Sequence, residues 1–274
     1  MNKETKITKA YYATKTQYEW NRLVQDPFHR LEYDTTWRFL HEYLPQKGLI
    51  LDAGGGPGRY TIELARLGYN VVLLDLTAEN LELGKKEIEK AGMGKRVKDI
   101  IVGTITDLSH FKDNSFDSVL CLGGPLSHAH PEPERRKAVS ELVRVARKNA
   151  PIFVSVMSKF GVLLATPAGW PQTVADKKYF DNFVVTGDDY RFGHTRYCHF
   201  FTSAELKQML KRRNVEIIKM VGLEGLNIDN KTSNIFAEKF PDAWKNWLEI
   251  HNQMCTDPFV VDASGHMMII VRKK

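Results

Sequence analysis

The feature that most constrains this fold is a glycine run set between two apolar segments of different period, Leu51-Asp52-Ala53-Gly54-Gly55-Gly56-Pro57-Gly58-Arg59-Tyr60. Leu49 to Leu51 reads as a short buried strand, and the stretch around Tyr60 to Leu67 as a helix. The glycines therefore join strand to helix. Glycine permits the tight turn and lets a ligand lie against main-chain N–H groups at the helix start.

The same rhythm repeats downstream. Val71 to Leu74 is a second apolar strand ended by Asp75, and a helix from Ala78 to about Ala91 follows. Ile100 to Val102, Asp117 to Leu122 and Ile152 to Val156 read as the third, fourth and fifth strands. Pro131 and Pro133 suit the first turn of a helix running to about Lys148. Short apolar strands alternating with amphipathic helices mean βαβ units, an α/β fold and a parallel sheet.

Residues 160 to 200 break the rhythm with Pro167, Pro171 and many aromatics, which suggests a lid or insertion. Regularity returns at Thr202-x-x-Glu205, a capping box opening a helix to about Arg213. Val215 to Val221 and Met267 to Val271 read as two further strands. Between them a helical stretch from about 239 to 253 places Trp244 and Trp247 three apart, as core residues. No repeat, low-complexity tract or interdomain linker is visible.

With 274 residues, 43% of them apolar and 26% charged, the chain can bury one sizeable core. MNKETKITKA has no apolar h-region, so no signal peptide is expected, and no apolar run reaches membrane-spanning length. Cys121, Cys198 and Cys255 are odd in number and far apart, which fits reduced thiols in a cytoplasmic protein rather than a disulfide framework or a metal site. The net charge of +6 is spread over helices, as in Arg135-Arg136-Lys137 and Lys211-Arg212-Arg213. That pattern fits solvated helix faces, and it is compatible with an anionic substrate without requiring one.

Glycine spacing selects the ligand. A dinucleotide fingerprint needs a third small residue where Arg59 stands, and no Gly-Lys-Ser/Thr follows to make a P-loop. Asp52, Gly54, Gly56 and Gly58 fit acid-x-Gly-x-Gly-x-Gly instead. This resembles motif I of the class I methyltransferases that use S-adenosylmethionine (SAM). The resemblance implies that the loop, Gly55 included, passes beneath the methionine part and ribose of SAM. Asp75 stands 21 residues after Gly54, where a carboxylate can accept two ribose hydroxyls. A carboxylate ending a strand also serves as an ordinary helix cap.

The resemblance extends to type 11 methyltransferases in Gly103-Thr-Ile-Thr-Asp107-Leu108 and Asn114-Ser-Phe-Asp117. There an acid lies near the adenine amino group; here Thr104 takes its position, leaving Asp107 or the backbone near Ile105 and Thr106 for that contact. Leu122-Gly123-Gly124-Pro125-Leu126-Ser127-His128 is similar to the Gly-Pro-Leu-Tyr-His run of a bacterial and archaeal subgroup, with Ser127 for Tyr. Ser158-Lys-Phe160, the segment from His199 to Leu206, Gly222-Leu-Glu-Gly225 and Ser264-Gly-His266 are individually weaker matches. Cofactor contacts are thus expected from Asp52, Gly54, Gly55, Gly56, Gly58, Asp75, Leu76, Thr104, Ile105, Thr106, Asp107, Leu122 and Gly123.

The implied fold is a Rossmann-like, doubly wound sheet of seven mostly parallel strands, the last antiparallel, with helices on both faces and a lid insertion. One domain is expected over residues 1–274. It comprises an N-terminal helical cap (1–45), the SAM-binding core (46–157), a lid (158–200) and a C-terminal part of the sheet (201–274) with a second insertion at 225–262.

Methyl transfer requires a nucleophile aligned with the methyl carbon, water excluded and, for a hydroxyl or ammonium, a proton removed. His128, just past the fourth strand, is a candidate base or orienting residue, although an isolated loop histidine more often serves packing or hydrogen bonding. His199, with His194 and Tyr197, forms a second candidate cluster that an edge strand would also produce. Tyr11, Tyr12, Tyr18 and Trp20 read either as a cap over the cofactor or as one face of a docked helix. No metal is expected.

The implied reaction is SAM-dependent transfer to an O, N or S atom of a small molecule, with S-adenosylhomocysteine (SAH) as product. Nucleic acid is the alternative acceptor, against which Leu-Gly-Gly-Pro-Leu replaces the Asn/Asp-Pro-Pro-Tyr/Phe of base-amino methylation. No Pro-Cys offers a thiolate for carbon methylation, and the scattered cysteines disfavour an arsenite-type mechanism. A non-catalytic SAM-binding protein is a further alternative.

Overall fold

A computed structural model describes residues 1–192, 196–226 and 229–274. Three helices come first, α1 (Lys3–Ala13), α2 (Thr16–Arg22) and α3 (Pro27–Tyr43). The alternating core follows: β1 (Leu49–Ala53), α4 (Arg59–Arg66), β2 (Asn70–Asp75), α5 (Ala78–Lys90), β3 (Val97–Val102), β4 (Ser118–Cys121), α6 (Glu132–Val145) and β5 (Pro151–Met157). A 3-10 turn at Pro125–His128 lies between β4 and α6.

The expected lid resolves into α7 (Lys159–Gly169), α8 (Pro171–Ala175), α9 (Lys177–Thr186) and a hairpin of β6 (Asp188–Phe192) and β7 (Arg196–His199). The chain then continues as α10 (Ser203–Lys211), β8 (Val215–Gly222), α11 (Asn230–Lys239), α12 (Pro241–Met254), α13 (Pro258–Ala263) and β9 (His266–Lys273).

Seven strands form one sheet in the order β3-β2-β1-β4-β5-β9-β8. The first five are parallel, and β9 runs antiparallel between β5 and β8. Successive residues on each strand serve opposite faces. Leu51, Val119 and Val154 pack with Leu142 of α6 and Leu206 of α10, whereas Ile50, Leu120 and Phe153 pack with Phe39 of α3 and Leu64 of α4. Central strands covered on both faces must be apolar throughout, which is why they read as unbroken runs.

Strand order reverses at β1 and β4. Loops leaving the carboxyl ends of these strands diverge there and leave a crevice. The cap closes it from above, because α1 packs on β7 while α1 and α2 both reach α5.

Two expectations need correction. Trp244 and Trp247 are half-buried, not core residues; they pack against Phe236 of α11 on the outer side of the second insertion. The capping box at Thr202 is half formed. Thr202 Oγ1 accepts the N–H of Glu205, but the Glu205 carboxylate turns to His199 Nε2 at 2.8 Å. No described helix is long and apolar enough to cross a membrane.

Candidate active site

The glycine-loop end of the crevice is built mostly from backbone. Gly54 and Gly55 both donate to the carbonyl of Leu74, tying the loop after β1 to the end of β2. Gly54 has φ +82°, and a Cβ there would lie 2.4 Å from Pro125 Cγ. Only glycine satisfies both the backbone and that close approach. Gly55 is excluded from change by packing, since its Cβ would meet the Asp52 carboxylate at 2.5 Å.

Asp75 ends β2 beside this loop. Its Oδ2 accepts the N–H of Gly56 at 2.9 Å, and its Oδ1 accepts the N–H of Thr77 at 2.8 Å. Burial raises its pKa, an effect these hydrogen bonds oppose. Oδ1 also accepts Asn80 Nδ2 at 3.4 Å, so the oxygen with room for a further donor is Oδ2.

Asp52 is fully enclosed, and burial pushes its carboxyl up to about 6. One oxygen accepts the Thr61 hydroxyl at 2.7 Å; the other, Oδ1, has no donor. Asn80 Oδ1 is likewise buried without a donor. Both residues line the cavity, with these two oxygens enclosed behind its surface.

The cavity gathers Gly54, Gly55, Gly56, Asp52, Asp75, Leu76, Thr104, Ile105, Thr106, Leu122 and Gly123, eleven of the thirteen residues expected at a cofactor. Gly58 and Asp107 do not line it. Gly58, with φ +79°, is the N-cap of α4, and its close neighbour is Leu73. Asp107 is turned to solvent and accepts the N–H of Ser109. The Thr104 hydroxyl lies 3.0 Å from that of Thr106 at the cavity wall.

At the other end, side chains dominate. His128 lines the cavity, with Nδ1 2.9 Å from the Tyr197 carbonyl and Nε2 2.8 Å from the Tyr12 hydroxyl. A carbonyl only accepts, so Nδ1 carries the proton and Nε2 accepts from the phenol. Burial, reinforced by the Arg196 charge, drives the imidazole pKa down to about 3. Arg196 sits over the Tyr11 and Tyr12 rings at 4.1 and 5.2 Å, locking α1 to the hairpin.

His199 is not at the cavity. It is buried between Asp188 at 2.7 Å and Glu205 at 2.8 Å. Burial opposes its charge, but these two partners outweigh burial and raise its pKa. Tyr197 spends its hydroxyl on Arg135 and Asp188, so its side chain is structural while its carbonyl fixes His128. His194 lies outside the described residues. Trp20 packs in the cluster of Leu81 and Ile62 with Arg59 stacked on it, and Tyr18 is exposed.

Sequence reading missed Glu19, Arg22 and Leu23 of the cap, which also line the cavity. Arg22 makes a two-point pair with Glu32, and behind it His266 Nδ1 meets Glu224 at 2.6 Å. Glu32, Glu224 and His266 have ligating atoms within 4.8 Å of one another, but the Arg22 guanidinium already engages both oxygens of Glu32. The group is an ion-pair network joining cap to sheet. The isolated Glu and Arg on a short polar helix gave no periodic signal that could have marked them.

Residues 50–149 match the family model of a methyltransferase domain. That segment runs from β1 to just before β5 and contains the glycine loop and Asp75. The chain is 36% identical over 75 residues to the tRNA 5-carboxymethoxyuridine methyltransferase of Escherichia coli K12, spanning 27% of this chain and 29% of that one. Identity is 25% over 175 residues with a ubiquinone biosynthesis O-methyltransferase of Xanthomonas oryzae, 64% of this chain and 65% of that one. The matches therefore span from under a third to just under two thirds of these relatives' length. The fold is shared with magnesium protoporphyrin IX methyltransferase from Synechocystis PCC 6803 with bound SAH, at TM-score 0.61 and 16% identity over 99% of this chain and 100% of that one.

Proposed function

We propose that the chain is an enzyme that transfers a methyl group from SAM to an O, N or S atom of a small molecule, releasing SAH. The observation that carries this reading is the joining of the Gly54–Gly56 loop, Asp75 and the Thr104–Thr106 wall in one cavity. When bound, SAM supplies an activated methyl on a sulfonium. Asp75 would hold the ribose hydroxyls, the glycine loop would pass under the methionine part, and the Thr104–Thr106 wall would face adenine.

The chain's own part in the chemistry is alignment and exclusion of water. Tyr12 of the cap and His128 would bound the acceptor side. A neutral imidazole with its basic nitrogen already engaged by Tyr12 is a weak base, so His128 acts as a positioning residue through that phenol. His199, away from the cavity, is left with a structural role. We read residues 1–274 as one domain with 1–45 as cap and 158–200 as lid. Three buried free cysteines fit a cytoplasmic location.

RNA is the second reading, supported by the tRNA methyltransferase relative and the +6 charge. A screen with methyl-labelled SAM over metabolite pools and total RNA separates the two. Label in a small molecule is expected; label in RNA alone would overturn the small-molecule acceptor, and SAM binding without transfer would overturn the enzyme.

A further inference from the structure

In the sequence the basic runs look like separate solvated helix faces, but the fold brings several of them together. Four short segments meet at the amino ends of β4, β5 and β8. Lys273 Nζ donates to Asn114 Oδ1 and to the carbonyls of Arg144 and Ala146. The N–H of Asn149 donates to the Lys273 carbonyl, and that of Lys274 to the Asn214 carbonyl. Arg213 reaches across to the carbonyl of Arg136 on α6. We propose that this face receives the phosphodiester backbone of a nucleic acid.

Its charge is lopsided. The face gathers nine basic residues: Lys112, the three cations of residues 144–148, the run 211–213, Lys273 and Lys274. Three acids stand among them, Asp113, Asp117 and Glu141, so the excess equals the +6 of the whole chain. The carboxylate of the last residue takes one unit off that excess. Charges at the rim cancel: Glu132 pairs with Arg136, Asp107 lies near Lys137, and Arg272 faces Glu216.

The three acids are already engaged, because Arg144 holds Asp113 and Glu141 while Arg147 holds Asp117. Lys112, Lys148, Lys211, Arg212 and Lys274 are exposed, and none of them makes an ion pair among the described residues. Like charges crowded on one face repel one another, and an anionic partner relieves that repulsion.

The surroundings select the class of anion. None of the large apolar side chains exposed among the described residues lies in these segments. A protein partner needs an apolar centre to its interface, and a bilayer needs an apolar wedge beside the cations. A phosphodiester chain needs neither, because each phosphate contact gains from released counterions. With no exposed Phe, Tyr or Trp there to stack on a base, docking is independent of sequence.

The cavity lies beyond the opposite, carboxyl ends of β1, β2 and β4. A nucleic acid held on this face leaves the cavity free. Docking here is therefore separate from the donor reading and from whether RNA is methylated.

Fluorescence anisotropy of the intact chain with labelled oligouridylate, and with a labelled DNA duplex, tests the face. Binding should weaken steeply as salt is added. Lys148→Glu, Lys211→Glu and Arg212→Glu combined should weaken it about tenfold or more, and make the plot of log affinity against log salt shallower by about 2. A control with the same change in net charge, Lys231→Glu, Lys239→Glu and Lys245→Glu on α11 and α12, should stay close to wild type. All six side chains are exposed, and melting temperatures near wild type show that both variants are folded.

Tighter binding of the RNA or of the duplex names which nucleic acid the face serves. If the wild type binds neither at low salt, or the two variants lose affinity equally, the assignment is overturned. Vesicles of equal parts phosphatidylcholine and phosphatidylglycerol are the third probe. Vesicle binding that the first variant abolishes, with oligonucleotide binding intact, would give the face to a membrane instead.

Discussion

The two ends of the cavity are built from different materials. At the donor end, a glycine loop and one strand-terminal carboxylate come from contiguous sequence, and main-chain hydrogen bonds set their geometry. At the proposed acceptor end, Tyr12 and His128 come from distant segments and are held by side chains. Backbone geometry tolerates few substitutions, whereas a wall of side chains can be rebuilt for a different ligand. The contrast predicts that damage at the donor end abolishes binding, and that damage at the other end changes what is done with the bound donor.

The largest effect is expected from Gly54→Val. A side chain there would overlap Pro125 at a positive φ, so stability should drop by about 3 kcal/mol and SAM binding should vanish. Thermal unfolding and calorimetry check this; normal binding would break the backbone half of the comparison. Next is Asp75→Ala, expected to weaken SAM by about 1.5–3 kcal/mol. Unchanged affinity would remove Asp75 from the ligand.

At the acceptor end, Tyr12→Phe and His128→Ala should each lower turnover on the identified acceptor by about tenfold or more, with SAH affinity within about twofold of wild type. A fall in SAH affinity as large as the fall in turnover would erase the distinction between the two ends.

The smallest effect belongs to His199→Gln, outside both ends. Asp188 and Glu205 hold the His199 pKa above its ordinary value, so this ion pair contributes fully below about pH 6.5. The contribution is lost as pH rises through the higher folded-state value. The variant should therefore lose more melting temperature at pH 6 than at pH 9, with SAM affinity unchanged. An equal loss at both pH values would contradict the ion-pair account.

The same contrast explains what the sequence could show. Strand ends, the glycine turn and Asp75 are local features, and a parallel sheet brings consecutive loops to one edge, so eleven of the thirteen positions expected at a cofactor line one cavity. Gly58 and Asp107 lie off the cavity wall because a motif marks a loop, not which of its members face the cavity: one caps α4 and the other caps its own turn. His199 misled because its neighbours in space, Asp188 and Glu205, turn a polar aromatic cluster into an internal ion pair. Trp244 and Trp247 misled for a similar reason. Their helical spacing faces α11 in an outer layer, not the sheet. Tyr12 meets His128 across 116 residues, a pairing no local pattern encodes.

Binding of the donor is the claim on which the rest depends. Calorimetric titration of the intact chain with SAM and, separately, with NADH tests it directly. The account predicts saturable one-to-one binding of SAM and none of NADH. Binding of NADH without SAM would contradict it and return the glycine loop to a nicotinamide cofactor.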